Sequence, residues 1–226
     1  MGGDRFPARL SAETTLFAND TQKRVTRGVD EEKRATLKRF AAAGAAAPFA
    51  ALGRDSDADG GSDARDAIVG YVAATPGAHF SKLRDDLQLG TGETQHHVER
   101  LLSAGTLVSR RDGDYRRFFP ADRFSTFEQT ALGYLRRSTP RGMVIALLRN
   151  PDATGADLAD ELDVSRATIS SHAAALESAG LLSREDGYAL EEPETLLVLL
   201  VRYADSFDAA ADALAADAAD LIAHDP

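Results

Sequence analysis

At 226 residues the chain is long enough for two small domains with extensions, and an apolar content of 43% lets each bury a core, which excludes disorder throughout. A net charge of −10 would argue against a polyanionic partner if it were evenly spread, but residues 1–54 carry 10 basic and 6 acidic side chains, residues 55–63 four Asp, and residues 191–226 nine acidic against one Arg. The body from 64 to 190, with 15 basic and 17 acidic residues, is free to present a basic face, and the absence of Cys rules out disulfides and thiolate metal sites.

Residues 1–63 read as an N-terminal arm and an acidic linker. Within them Lys33, Arg34, Lys38 and Arg39 precede a run of small apolar residues up to Leu52. A membrane-spanning helix needs about 20 apolar residues. This run is shorter, Ala-dominated and broken by Gly44 and Pro48, so we expect an amphipathic arm packed on the body, no membrane association and a cytoplasmic location. A twin-arginine export signal resembles the stretch loosely, but it begins far from the N-terminus and has Lys33 in place of the first Arg.

The chain then repeats itself. Without gaps, at an offset of 75 residues, 78–105 matches 153–180: Leu83 falls on Leu158, Asp85 on Asp160, Leu87 on Leu162, Leu89 on Val164, His97 on His172 and Leu101 on Leu176. Ser103, Ala104 and Gly105 fall on Ser178, Ala179 and Gly180.

The first copy, 64–121, predicts a leading helix over Ala64–Ala74, a second over Ser81–Leu87 and a third over Gly92–Ala104. Gly90 and Gly92 weaken the start of that third helix, where a capping Ser and a helix former are usual. A hairpin follows in "TLVSRRDGDYRRFFP", with Asp112-Gly113 at its tip. It gathers Arg110, Arg111, Arg116 and Arg117, whose guanidinium forks suit phosphate. Because strand neighbours face opposite ways, at least one Arg per strand should point outward while Tyr115 and Phe118 or Phe119 pack inward or lie along the base. The competing reading is a solvated hairpin held by pairs with Asp112 and Asp114.

Residues 122–140 predict a connecting helix with Phe127, Ala131 and Leu135 on one side, ending near Thr139-Pro140. Its Arg136 and Arg137, with Arg141 beyond, either extend a basic track from the hairpin or cap a helix C-terminus, where cations are favoured.

In the second copy, 141–191, Thr154 caps a helix with Leu158, Ala159 and Leu162 inward, Asp163 and Val164 turn, and Ser165 caps a helix carrying Ile169, Ala173 and Leu176 on its core face. Gly180 ends it, and strands flank Asp186-Gly187. Here the hairpin is acidic: Arg184 precedes Glu185, Asp186, Glu191 and Glu192. From 192 to 226 a stripe of Leu196, Leu200, Tyr203, Phe207, Leu214, Ala218 and Leu221 predicts one acidic C-terminal helix. It is the candidate dimerisation surface, the alternative being that it folds back on its own chain.

The order helix, helix, turn, helix, hairpin is that of a winged helix, and "VSRATISSHAAALESAGLLSREDGY" resembles the recognition helix and wing of ArsR-type and related winged helix-turn-helix regulators. The Asp-rich, Arg-over-Lys composition likewise resembles haloarchaeal proteins, although a GC-rich genome would give the Arg and Ala bias too. The fold class is therefore mainly α with small β-hairpin wings: two tandem winged helix-turn-helix domains plus a C-terminal helix.

The resemblance implies a sequence-specific, double-stranded DNA-binding transcriptional regulator, homodimeric through the C-terminal helix, with no enzymatic activity and no cofactor. On the first copy Thr91, Thr94, Gln95, His96, Arg100 and the wing residues Arg110, Arg111, Arg116 and Arg117 are the candidate contacts. On the second they are Arg166, Thr168, Ser170, Ser171 and Arg184. Equivalent positions suit His97 and His172 to a hydrogen bond rather than to metal, because adjacent His96 and His97 cannot point the same way on a helix. The alternative function is a tandem winged-helix interaction subunit of a chromosome-associated complex, which the acidic second wing fits better.

Overall fold

The computed structural model describes residues 33, 35–40, 42 and 61–222. The acidic linker before residue 61, the export-signal resemblance beyond residue 42 and the last four residues lie outside them. Of the arm, the described residues are helical. Leu37 is buried, Lys33 pairs with Glu93 at 3.3 Å and Phe40 meets Tyr71 edge-on at 5.1 Å.

The first unit consists of α1 (Gly61–Ala74), α2 (Phe80–Asp86), α3 (Thr91–Ser103) and the hairpin β1 (Leu107–Asp112) with β2 (Tyr115–Pro120). Between α1 and α2 the segment Thr75-Pro76-Gly77-Ala78 closes as a turn, with Ala78 N donating to Thr75 O at 3.2 Å and Gly77 at φ +81°, the geometry that a Pro-Gly pair favours. The turn brings His79 into a β-bridge with Arg117, so the wing leans on the start of α2. His79 also caps α2 through its ring nitrogen, which accepts from Lys82 N at 3.2 Å.

Connecting the units, α4 (Thr126–Leu135) is opened by Ser125 and Glu128, whose side chains bond each other's backbone N–H. The second unit follows as α5 (Ser138–Arg149), α6 (Gly155–Glu161), α7 (Arg166–Ser178) and the two-residue strands β3 (Leu182–Ser183) and β4 (Ala189–Leu190). Thr139-Pro140, expected to end the connector, instead sits in the first turn of α5, where a proline costs no helical hydrogen bond.

The shared Ser-Ala-Gly segment has one structural meaning in both copies. Gly105 and Gly180 stand at φ +69° and +70°; each donates to the carbonyl two positions before the helix cap, and the next residue bonds one position deeper, Thr106 to Leu101 and Leu181 to Leu176. This is the glycine-terminated helix end that satisfies otherwise orphaned carbonyls. Gln88 and Asp163, also equivalent under the repeat, both take left-handed backbone at the turn before the third helix of each unit.

Two cores result. One gathers Ala67, Ile68, Tyr71, Leu83, Leu87, Val98, Leu101 and Phe118; the other gathers α4 to α7 with the C-terminal elements and includes Phe119. Since adjacent strand residues face opposite sides, β2 is a common wall for both.

The C-terminal segment is not one helix. It comprises α8 (Pro193–Arg202), a 3-10 turn at Ala204–Ser206 and α9 (Ala209–Ile222). Most of its stripe is buried within the chain: Leu196, Leu200, Tyr203, Leu214 and Ala218 belong to the buried set, Phe207 is half-buried, and α8 packs on α4 while α9 packs on α5. Apolar area already removed from water by the chain's own helices is not available to a second copy, which takes away the basis for dimerisation through this stripe. No described helix is long and apolar enough to cross a membrane.

Candidate nucleic-acid interface

On α3 the exposed side chains include Thr91, Gln95, His96, Glu99, Arg100 and Ser103, and Gln95 Nε2 donates to Glu99 Oε1 at 3.0 Å. Gly90 opens this helix without a capping side chain, but the Glu93 carboxylate accepts from its N–H at 3.3 Å and restores part of what a Ser would supply. Thr94, expected among the contacts, is fully buried. Its hydroxyl donates to Gly90 O at 2.8 Å, because position 94 lies on the core stripe with Val98 and Leu101. His97 is half-buried; burial first, and then the neighbouring His96, lower its pKa, so at neutral pH it brings no positive charge to a phosphate.

The wing divides its four arginines by face. The register pairs Arg110 with Arg117 and Arg111 with Arg116 across the ladder, so each pair shares one side of the ribbon. The Arg110–Arg117 side turns toward the rest of the protein. Arg117 is 3% exposed, donates to Asp112 Oδ2 at 2.5 Å and to Gly77 O at 2.9 Å, and is thereby a structural pin. Arg110 is half-buried and donates to Thr126 O at 3.2 Å. Arg117 therefore does not reach phosphate as the sequence suggested, since the inward face of a packed hairpin is unavailable to a ligand, whereas Arg110 is drawn toward the start of α4. Arg111 and Arg116 remain, both exposed, with Arg116 Nε steadied by Ser109 Oγ at 2.9 Å.

Tyr115 also departs from expectation. It is 49% exposed and stacks on His79 with ring centroids 4.8 Å apart, rather than packing inward. The turn itself centres on Gly113-Asp114, one residue later than expected, with Gly113 at φ +58° taking the position that requires left-handed backbone.

In the second unit Arg166, Ser170 and Ser171 are exposed on α7, and Ser165 caps the helix by accepting from Thr168 N at 3.0 Å. Thr168 is half-buried and its hydroxyl is engaged with that of Ser165 at 2.8 Å, so it serves the cap. Arg184 is committed to Glu177, with Nε donating at 2.7 Å, and lies on a wing that carries exposed Glu185, Asp186, Glu191 and Glu192.

The connector arginines neither extend a basic track nor merely cap a helix. Arg137 donates to Asp112 at 2.5 Å, tying the first wing to the connector. Arg136 donates to Pro76 O at 3.0 Å and to Ser206 O at 2.7 Å, joining the first unit to the C-terminal elements. Arg141 pairs with Asp208 and donates to Leu135 O at 2.8 Å. These ties between segments distant in sequence had no local pattern to announce them. Among the described residues no group of His, Asp and Glu is arranged to hold a metal ion.

Both units are winged helix-turn-helix domains. A family profile for an N-terminal HTH domain matches residues 62–132, and one for the MarR family matches residues 141–188. The chain is also 27% identical over 126 residues to an uncharacterized HTH-type transcriptional regulator of Methanocaldococcus jannaschii, covering 55% of this chain and 32% of that protein. The chain thus spans about a third of that relative's length. No solved structure matches.

Proposed function

We propose that the chain is a DNA-binding transcriptional regulator. In this reading Arg111 and Arg116 lie on phosphates, and the exposed side of α3, with Thr91, Gln95, His96 and Arg100, enters the major groove. Arg166, Ser170 and Ser171 read bases from the start of α7, where a recognition helix makes its base contacts. The observation that carries the reading is the outward Arg111–Arg116 pair, a two-guanidinium surface on a wing whose other arginines anchor it. The match to HTH families and the name of the archaeal relative point the same way.

Selection of bound duplexes from a random pool, followed by footprinting on the enriched sequence, tests this. A protected site of defined sequence is the expected result; retention of all sequences equally, or of none, counts against it. The acidic second wing favours the other reading for the second unit, a protein-binding face, because exposed Glu185, Asp186, Glu191 and Glu192 repel phosphate. A footprint confined to the first unit's half of the site would support that division.

A further inference from the structure

A cleft of about 1130 Å³ opens between the two units, on the scale of small-molecule sites, which run to roughly 1,000 Å³. Its walls come from the arm at Arg39 and Phe40, from α1, α2, the first wing, the α4–α5 junction, the end of α8 and the 3-10 turn. Among its described lining residues eight are Lys or Arg, and only Asp86 and Asp205 are acidic. In a chain of net charge −10 this is a local inversion of sign.

The protein's own carboxylates pair with only half of these cations. Asp112 serves Arg117 and Arg137 together, Asp208 serves Arg141, and Asp86 serves Lys82 while accepting from Tyr71 Oη at 2.7 Å. Arg136, inside the cleft, bonds only neutral oxygens, those of Pro76 and Ser206. Burial, together with nearby Arg117 and Arg141, lowers its pKa to about 10. Arg123 and Arg202 line the cleft with no carboxylate partner among the described residues. Tyr203 contributes a buried hydroxyl that has no hydrogen-bond partner. Buried polar groups are ordinarily satisfied, so an unpartnered hydroxyl beside unneutralised guanidinium groups marks a place for an acceptor.

We propose that this cleft binds a small anion carrying two or more phosphate or carboxylate groups, held by Arg136, Arg123 and Arg202 and by a hydrogen bond from Tyr203 Oη. Because both units build the walls, the bound anion bridges them and gives the protein a chemical input. Neither α3 nor α7 contributes a described side chain to the cleft, which meets the duplex surface only along the first wing, at Tyr115 and Arg117.

Titration calorimetry on the full chain, with pyrophosphate and citrate as probes and ionic strength held constant with NaCl, tests the proposal. Saturable binding of at least one probe is expected, weakened about tenfold or more in R123A/R202A, since charge-assisted bonds are lost. Circular dichroism checks that this variant folds. Tyr203→Phe, which keeps the ring in its core, should weaken binding without altering thermal stability in the absence of probe. Absence of saturable binding by both probes, or unchanged affinity in R123A/R202A, overturns the proposal. Should neither probe bind while R123A/R202A weakens duplex binding, the cleft is part of the DNA track and the small-anion assignment falls.

Discussion

Phe118 and Phe119 are consecutive on β2 and bury into opposite cores, Phe118 among the side chains of the first unit and Phe119 among those of the second. A hairpin that would be a free appendage in an isolated winged helix is here a wall shared by two domains. The units should therefore unfold together. Phe119→Ala removes a fully buried ring at a cost of about 3–5 kcal/mol, and denaturation followed at probes placed in each unit should shift in parallel. Two separated transitions would show that the cores are independent.

Asp112 carries the polar half of the same joint. Burial alone would raise its pKa, but hydrogen bonds and charge from Arg117 and Arg137 outweigh it and hold the carboxyl below its ordinary value. A carboxyl depressed in the folded state contributes stability that is complete above the unfolded pKa of about 4 and is lost as pH falls through the lower folded value. Asp112→Asn, which leaves buried Arg117 without its counter-charge, should cost on the order of 3 kcal/mol at pH 7. The difference between wild type and variant should shrink as urea denaturation is repeated toward pH 3. A gap that is constant with pH would mean that the charge of Asp112 is irrelevant.

The local grammar of the chain was legible: the 75-residue repeat, the Thr154 and Ser165 caps, the Gly105 and Gly180 helix ends and the two hairpins follow from short-range patterns. What escaped was the orientation of side chains on a ribbon. Alternation along the strands predicts at least one outward Arg on each, but not which one: Arg110 and Arg117 face inward because Asp112, Gly77 O and Thr126 O wait there. Those acceptors come from three separate parts of the chain. Thr94 was misplaced for a smaller reason, since a threonine on a helix core stripe satisfies its hydroxyl through the preceding turn.

The division of the wing arginines has a direct consequence for DNA affinity. R111A/R116A should weaken binding to every duplex and flatten the slope of log affinity against log salt by up to about 2, one for each lost phosphate contact. Arg117→Ala should instead lower stability and leave the slope of the folded protein unchanged. A slope that falls with Arg117→Ala but not with R111A/R116A would reverse the assignment of faces.

Leu200 tests the C-terminal segment. It is fully buried in the chain's own core, so Leu200→Ala should cost about 2–5 kcal/mol of stability in proportion to the cavity left, while sedimentation reports the same oligomeric state as wild type. If the segment were an intersubunit surface, the variant would dissociate at concentrations where wild type does not.

Arg166 decides whether the second unit reads sequence. It stands exposed at the first position of α7, with no hydrogen bond or ion pair to another described residue, and the Ser165 cap fixes the helix start beneath it. If its guanidinium reaches a guanine edge, Arg166→Ala should cost about 1–3 kcal/mol on the preferred duplex and much less on random DNA. The nearby acidic wing sharpens the test, because its repulsion leaves the second unit little non-specific affinity to fall back on. Competition binding with specific and scrambled duplexes gives the ratio directly. Equal losses on both would place Arg166 on a phosphate, and no loss on either would leave the second unit to a protein partner.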